Sequence, residues 1–313
     1  VLTIDRNIQA KAEEALKIGL ERSKATKGSI IVLDPNTGAI KAMANLPTYD
    51  PSKYYDVGDD AYEKFQNRIV SSPYEAGSVI KTLTMAAGIN EGVVNKDSQF
   101  KNTGSVTVAD ATIKNVEQDV NGTRSMTDVL KYSLNTGVVY VLSQLGGGSI
   151  NEQARTKLYD YFAGRYGFGQ PTGIEQSGEV EGTIFRPNAE QGNNVRYSNM
   201  AFGQGMDVTM AQVSSAFSSV INGGNYYQPH LVEGMLKEDG SISSDKQKPV
   251  RTGVVNQATS DQLIEMTRTA LNTSSAVSKL VKPGYNVGGK TGTSQTIDLK
   301  TGKYSDSNTI GSY

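Results

Sequence analysis

Residues 72–89, SPYEAGSVIKTLTMAAGI, combine a turn, a polar pair and a long apolar run. Val79, Ile80, Leu83, Met85, Ala86, Ala87 and Ile89 make a mostly apolar, helix-compatible segment, and Pro73 and Gly77 precede it. The spacing predicts a buried helix starting at Ser78. Residues three apart on a helix share a face with Cβ atoms roughly 5–6 Å apart, so the Lys81 amine reaches the Ser78 hydroxyl. A serine in the first turn also lies among backbone N–H groups that lack intrahelical partners and point toward a reacting carbonyl oxygen. Nucleophile, base and one oxyanion donor therefore fit within four residues.

Composition narrows the chemistry around that pair. The 313 residues include a single histidine, His230, next to Pro229 in an Asn/Gly/Tyr/Pro-rich loop, and no G-x-S-x-G elbow, so a Ser-His-Asp hydrolase is disfavoured and lysine is the better base. The absence of cysteine removes a disulfide framework, a thiolate nucleophile and cysteine-ligated zinc together. No spaced His/Asp/Glu set suggests a metal, and no cofactor is expected. A formal net charge of -1 and a pI near 6.0, without a basic stripe, give no reason to expect nucleic acid as a partner. Hydrophobic residues at 37% and charged residues at 20% suit a globular chain with one large core or two packed lobes. No run approaches the roughly 18 apolar residues of a membrane span.

Two further clusters complete a plausible site. Lys290-Thr291-Gly292-Thr293 follows Gly288-Gly289 and reads as a short extended segment. Gly292 leaves room for a substrate backbone, the Thr293 amide serves as a second oxyanion donor, and Lys290 with the two threonine hydroxyls makes an anion site for a substrate carboxylate. Ser133-Leu134-Asn135 places one hydroxyl and one amide two residues apart, which in a tight or extended turn face the same way beside Ser78 and Lys81. The alternative for this cluster is a helix N-terminal cap. Each pattern recurs elsewhere: Ser98 to Lys101 and Ser243 to Lys246 also fit S-x-x-K, Ser149 to Asn151 fits S-x-N, and Lys300 to Gly302 fits K-T-G. Both other S-x-x-K copies sit in polar, loop-like surroundings, and Lys300 to Lys303 reads as a hairpin turn.

The organisation is α/β (α+β): an antiparallel sheet flanked by helices, with an inserted, mainly helical lobe. Ile8, Ala12, Ala15, Leu16 and Leu20 predict an N-terminal helix. Ser29 to Leu33, the turn Asp34 to Gly38, and Ala39 to Met43 predict a hairpin, which the Lys290 and Thr309 segments are expected to join in one sheet. An α/β lobe of about residues 1–70 and 225–313 and a helical lobe of about 71–224 would meet in a cleft holding the three clusters.

Together, Ser78 to Lys81, Ser133 to Asn135 and Lys290 to Thr293 resemble the signature of class A β-lactamases and penicillin-binding proteins. Asn67-Arg68, Phe168-Gly169, Gly178-Glu179, the run Ala201 to Gly205 and Asn222 to Gly224 extend the likeness to class B penicillin-binding proteins over nearly the whole chain, and Tyr159 to Phe162 is closer to their cell-division members. The resemblance implies a peptidoglycan D-alanyl-D-alanine transpeptidase. Ser78 attacks, Lys81, Ser133, Asn135 and Lys290 assist, and Thr291, Gly292 and Thr293 bind substrate. It also implies stem peptides and β-lactams as ligands, a membrane glycosyltransferase and division proteins as partners, and an extracytoplasmic place behind an N-terminal anchor and pedestal. A further strand and closing helix are expected after Tyr313, without which an exposed sheet edge is expected. Two positions depart from the family pattern: Ala76 replaces a proline, and Leu134, larger than usual, is expected to narrow the cleft. A β-lactam hydrolase, a β-lactam sensor and an inactive division scaffold remain alternatives. Lys81 must be neutral near pH 7, which burial and a nearby cation such as Lys290 would achieve.

Overall fold

A computed structural model of the chain describes all residues except 59–60, 117–118, 244–246, 274–278, 280 and 298–303. Helix α1 (Arg6–Ser23) starts at Asp5, whose carboxylate accepts from the amides of Asn7 and Ile8, and ends at Lys24 in the left-handed region. Strands β1 (Gly28–Leu33) and β2 (Ile40–Leu46) pair antiparallel, closing through Asp34, whose carbonyl accepts from the Gly38 amide. Ala42 and Ala44 pack on Ala12 and Leu16 of α1. Ile31, Leu33 and Met43 join a second cluster with Ile69, Val70, Ile174 and Ala211.

The short helices α2 (Ala61–Phe65) and α3 (Arg68–Ser71) lead to a 3₁₀ turn, Gly77–Val79, and then to α4 (Ile80–Asn90). The expected helix is present, but its α-helical part begins at Ile80 and Ser78 lies in the tighter turn before it. Every residue of α4 from Ile80 to Ile89 is buried, Lys81 included. Strands β3 (Gln99–Asn102), β4 (Ser105–Val108), β5 (Ala111–Lys114) and β6 (Gly122–Ser125) form two small antiparallel ladders, β3 with β6 and β4 with β5. They interrupt the stretch expected to be mainly helical.

Around α4 stand α5 (Met126–Lys131), α6 (Asn135–Leu145) and α9 (Met210–Ile221), while α7 (Glu152–Tyr159) and α8 (Asn194–Met200) pack on α6. Helix α7 continues into a π-helical turn, Asp160–Arg165. Phe162, Tyr166 and Phe168 cluster in the main core, Phe162 meeting Phe168 edge-on and Tyr166 tilted against both, and the Tyr166 hydroxyl donates to the Leu83 carbonyl of α4 at 3.0 Å. Two reciprocal caps fix helix starts: Ser125 with Asp128 for α5 and Thr209 with Gln212 for α9. A two-residue ladder of β7 (Met235–Leu236) and β8 (Ile242–Ser243) precedes α10 (Gln257–Thr273), which packs on α5, α4 and α9.

Strands β9 (Gly292–Ile297) and β10 (Tyr304–Ser312) pair with each other, Gly292 opposite Ser312. The single sheet expected from the sequence is not what forms among the described residues: β1–β2 and β9–β10 are separate two-stranded ladders. Alternation in a strand specifies a face and not a neighbour. Here β1–β2 buries its faces on α1, α3 and α9, while β9 packs on the Gly77–Val79 turn. The antiparallel, helix-flanked α/β class stands.

Candidate active site

The centre is built on the Gly77–Val79 turn. From Ala76 to Ile89, Ser78 is the one residue that is not buried, so the turn offers a single side chain to the cleft. Its shape depends on glycine. Gly77 sits at φ 61°, and a Cβ there would come within 2.7 Å of the Thr293 carbonyl oxygen. Behind it, the Gly77 amide donates to the Gly203 carbonyl at 3.0 Å, and Gly203, at φ 84°, has no room for a Cβ because the Gly77 carbonyl oxygen would lie 2.1 Å away. An antiparallel bridge between Tyr74 and Val208 ties the two chain segments just before this contact.

The predicted clusters converge on one hydroxyl. Ser133 lies between α5 and α6 with φ 55°, a left-handed conformation uncommon for a residue with a side chain. Lys81 Nζ donates to the Ser133 carbonyl at 2.5 Å and to Ser133 Oγ at 3.0 Å. From the opposite side Lys290 Nζ donates to the same Oγ at 3.0 Å and to the Thr291 carbonyl at 2.9 Å. Ser133 Oγ therefore accepts from both lysines, which occupies both its lone pairs and leaves its own proton for a third group. Among the described residues no hydrogen bond joins Ser78 to Lys81; the lysine is held on Ser133 instead.

Lys81 is 1% exposed and Lys290 5%. Burial, and then the neighbouring charge of Lys290, hold the Lys81 amine well below the usual lysine range. Burial also lowers Lys290, to about 8. The two amines thus differ in basicity: Lys81 is the more strongly depressed, and the charge of Lys290 is part of what depresses it. A neutral amine has two N–H groups, enough for both Ser133 contacts, and a lone pair besides.

Asn135 is the first residue of α6 and turns its amide to the Lys114 carbonyl of β5 at 2.7 Å. The N-cap alternative does not describe the cluster: Leu134 occupies the cap of α6 and no side chain caps it. Leu134 is fully buried in the main core and does not narrow the cleft. Thr291, Thr293 and Gln295 are exposed along one side of the strand, whereas Gly292 and Ser294 face inward. The space beside Gly292 is filled by protein, because a Cβ there would meet Ser312 Oγ at 2.2 Å and the Ala76 carbonyl oxygen at 2.7 Å. Its glycine is required by strand-to-turn packing, not by a gap for substrate.

The other pattern copies do not assemble. Ser98 Oγ accepts from the Asn95 amide within a polar turn, Asn151 caps α7, and Ser243 is exposed in β8. Residues 244–246 and 300–303 lie outside the described residues. His230 is buried, pairs its backbone with Gly38 and Ile40, and among the described residues has no carboxylate as a hydrogen-bond partner. Tyr226 is buried, with the Arg251 guanidinium over its ring. Among the described residues no cluster of three His, Cys, Asp or Glu side chains is placed to hold a metal, and no helix is long and apolar enough to cross a membrane. A polar cleft of about 640 Å³ between Asp110, Glu152, Arg155 and residues 187–195 shares none of the residues described above.

Sequence reasoning missed two hydroxyls: Ser294 Oγ donates to the Glu75 carbonyl at 2.6 Å and Ser312 Oγ to the Ala76 carbonyl at 2.9 Å. No motif marks these serines, and only the folded arrangement brings them to the turn.

Residues 28–313 match the penicillin binding protein transpeptidase domain. Stage V sporulation protein D of Bacillus subtilis is 33% identical over 315 residues, covering 100% of this chain and 46% of that protein. Penicillin-binding protein PbpB of Mycolicibacterium smegmatis is 30% identical over 311 residues, 97% of this chain and 46% of the relative. The chain thus spans about half the length of the curated relatives it matches. A crystal structure of penicillin-binding protein 3 from Mycobacterium tuberculosis complexed with aztreonam gives a TM-score of 0.85 at 29% identity, over 98% of this chain and 66% of that one.

Proposed function

The chain belongs to the penicillin-binding protein transpeptidase domain family, and from that premise we propose that it cross-links peptidoglycan by D-alanyl-D-alanine transpeptidation through a Ser78 acyl-enzyme. The observation that carries this reading is the chain Lys81–Ser133–Lys290, in which two buried amines of unequal basicity share one serine hydroxyl.

Ser78 Oγ attacks the carbonyl of the penultimate D-alanine of a stem peptide while its proton passes to the free lone pair of Lys81. The amides of Ser78 and Thr293 receive the developing oxyanion. As the C–N bond breaks, the Ser133 hydroxyl gives its proton to the departing D-alanine nitrogen and is resupplied from the lysines. An amine of a neighbouring stem then attacks the acyl-enzyme, passes its proton through Ser133 and Lys81 to the departing Ser78 oxygen as the Ser78–acyl bond breaks, and the cross-link forms. Lys290 and the exposed hydroxyls of Thr291 and Thr293 suit the terminal carboxylate, and Asn135 the peptide on the acyl side. A β-lactam enters the same path, but its leaving nitrogen stays tethered.

In this reading residues 1–313 are a transpeptidase domain with an α/β lobe (about 1–70 and 225–313) and a helical lobe (71–224). The domain acts outside the cytoplasm, tethered to the membrane through a segment preceding Val1. It works beside a membrane glycosyltransferase and division proteins in septal wall synthesis. Intact mass spectrometry over time with penicillin tests the chemistry. A long-lived single adduct on the native chain that is lost in Ser78→Ala supports it. An adduct that clears within seconds points to a hydrolase, and no adduct on a folded chain overturns the assignment.

A further inference from the structure

Two strands far along the chain from the nucleophile, β9 and β10, meet the backbone just before it, and neither does so through a residue of the catalytic chain. Ser294 of β9 and Ser312 of β10 each give a hydroxyl to one of two consecutive carbonyls, those of Glu75 and Ala76. Gly292 lies against the same Ala76 carbonyl and against Ser312. Ser294 is 2% exposed, so its hydroxyl has no water to turn to. The hairpin that holds these serines begins two residues after Lys290, whose amine must lie beside Ser133 to act on Lys81.

We propose that Ser294 and Ser312 are positioning residues that lock the β9–β10 hairpin to the nucleophile turn and so fix Lys290 at the distance from Ser133 and Lys81 that acylation requires. The inference rests on the transpeptidase reading. It adds that the hairpin is placed by hydroxyl-to-carbonyl contacts and not by packing alone.

The physical argument is one of registry. Side chains of β9 alternate, so the inward hydroxyl of Ser294 and the outward residues Thr293 and Gln295 move as one body. If the hairpin slides or tilts, Lys290 moves with it. Around the Lys81 amine stand the Ser133 hydroxyl and carbonyl from the α5–α6 turn and the Lys290 amine from the approach to β9, and Lys290 is the charged group among them. Withdrawing that charge lets Lys81 hold its proton to higher pH. The acid limb of acylation, which reports Lys81 losing its proton, then moves upward.

The experiment measures the second-order rate of acylation by a fluorescent penicillin from pH 5 to 9 on the full-length protein carrying this chain, alongside its melting temperature. The variants are Ser294→Ala, Ser312→Ala and their hydroxyl-keeping counterparts Ser294→Thr and Ser312→Thr. Each alanine variant is expected to acylate about three- to tenfold more slowly, the worth of one hydrogen bond, with its acid limb at higher pH. At least one threonine variant is expected to recover the native limb. Slower acylation or a lower melting temperature with the limb unmoved in both alanine variants overturns the proposal, since a purely structural role predicts that result. A single folded alanine variant suffices to decide. If the native protein itself is not acylated at Ser78, the transpeptidase reading fails first, and the two failures are thereby told apart.

Discussion

Replacing Gly203 by alanine should damage the centre without touching a catalytic side chain. The added Cβ would lie 2.1 Å from the Gly77 carbonyl oxygen and 2.8 Å from the Gly77 nitrogen, all backbone with no side chain to swing aside. Ordinary contact begins near 3.4 Å, so one segment must move by about 1.3 Å. Alanine at φ 84° costs a further ~1–2 kcal/mol, and forced overpacking of this kind ~1–3 kcal/mol, for a total of roughly 2–5 kcal/mol. In a domain of this size that corresponds to a fall in melting temperature of roughly 3–8 °C. If the nucleophile turn is the segment that yields, a displacement near 1 Å lowers the acylation rate by about a hundredfold. Gly240→Ala is the control: it sits at φ 83° with nothing within 4 Å of the new atom, so it carries the conformational strain alone. Calorimetry and penicillin acylation on the two variants separate the terms. If Gly203→Ala matched Gly240→Ala in both, the close contact with Gly77 would not govern the turn.

Two more expectations concern stability. Burial brings Lys290 to about 8 in the folded chain against 10.5 for the ordinary group, so between those values the unfolded chain binds more protons and stability rises with pH; below about 8 Lys290 adds no slope, and the remaining rise comes from Lys81, which burial holds well below the usual lysine range. Above pH 10 the trend reverses, because burial raises Tyr74 and Tyr161 to about 12 and the unfolded tyrosines ionise first. Denaturant unfolding from pH 7 to 11 should show this maximum, and Lys290→Gln should flatten its rising side; an unchanged slope refutes the assignment. Gln212 is buried and serves three backbone groups, accepting from the Thr209 amide at 2.8 Å and donating to the carbonyls of Gln170 at 2.7 Å and Glu181 at 2.8 Å. Gln212→Ala should cost roughly 3–5 kcal/mol in urea unfolding by leaving those groups unpaired, and a loss under about 1 kcal/mol would mean water replaces the side chain.

What the sequence disclosed was local. The hairpin through Asp34 to Gly38 follows from turn chemistry confined to five residues, and the helix after Ser78 from an apolar run that no other element has to complete. What it withheld depends on partners distant along the chain. Alternation from Lys290 to Ser294 identified two faces but not that the inward one meets the carbonyls of Glu75 and Ala76, so Gly292 was assigned to substrate and Ser294 to nothing. Ser133 was expected beside Lys81, but its left-handed backbone and its place between two lysines require the ends of α5 and α6 in position. Leu134 was judged by size alone, although its burial decides its effect.

The bond between Ser312 and Ala76 joins positions 236 apart, and that between Ser294 and Glu75 positions 219 apart. Contacts of such separation close late, since the loop entropy is spent before they return anything. A chain emerging N-terminus first therefore displays its serine and its helix long before it holds a working centre. On the transpeptidase reading, Ser78 waits through that interval without Lys290, and the arrival of β9 and β10 completes its surroundings.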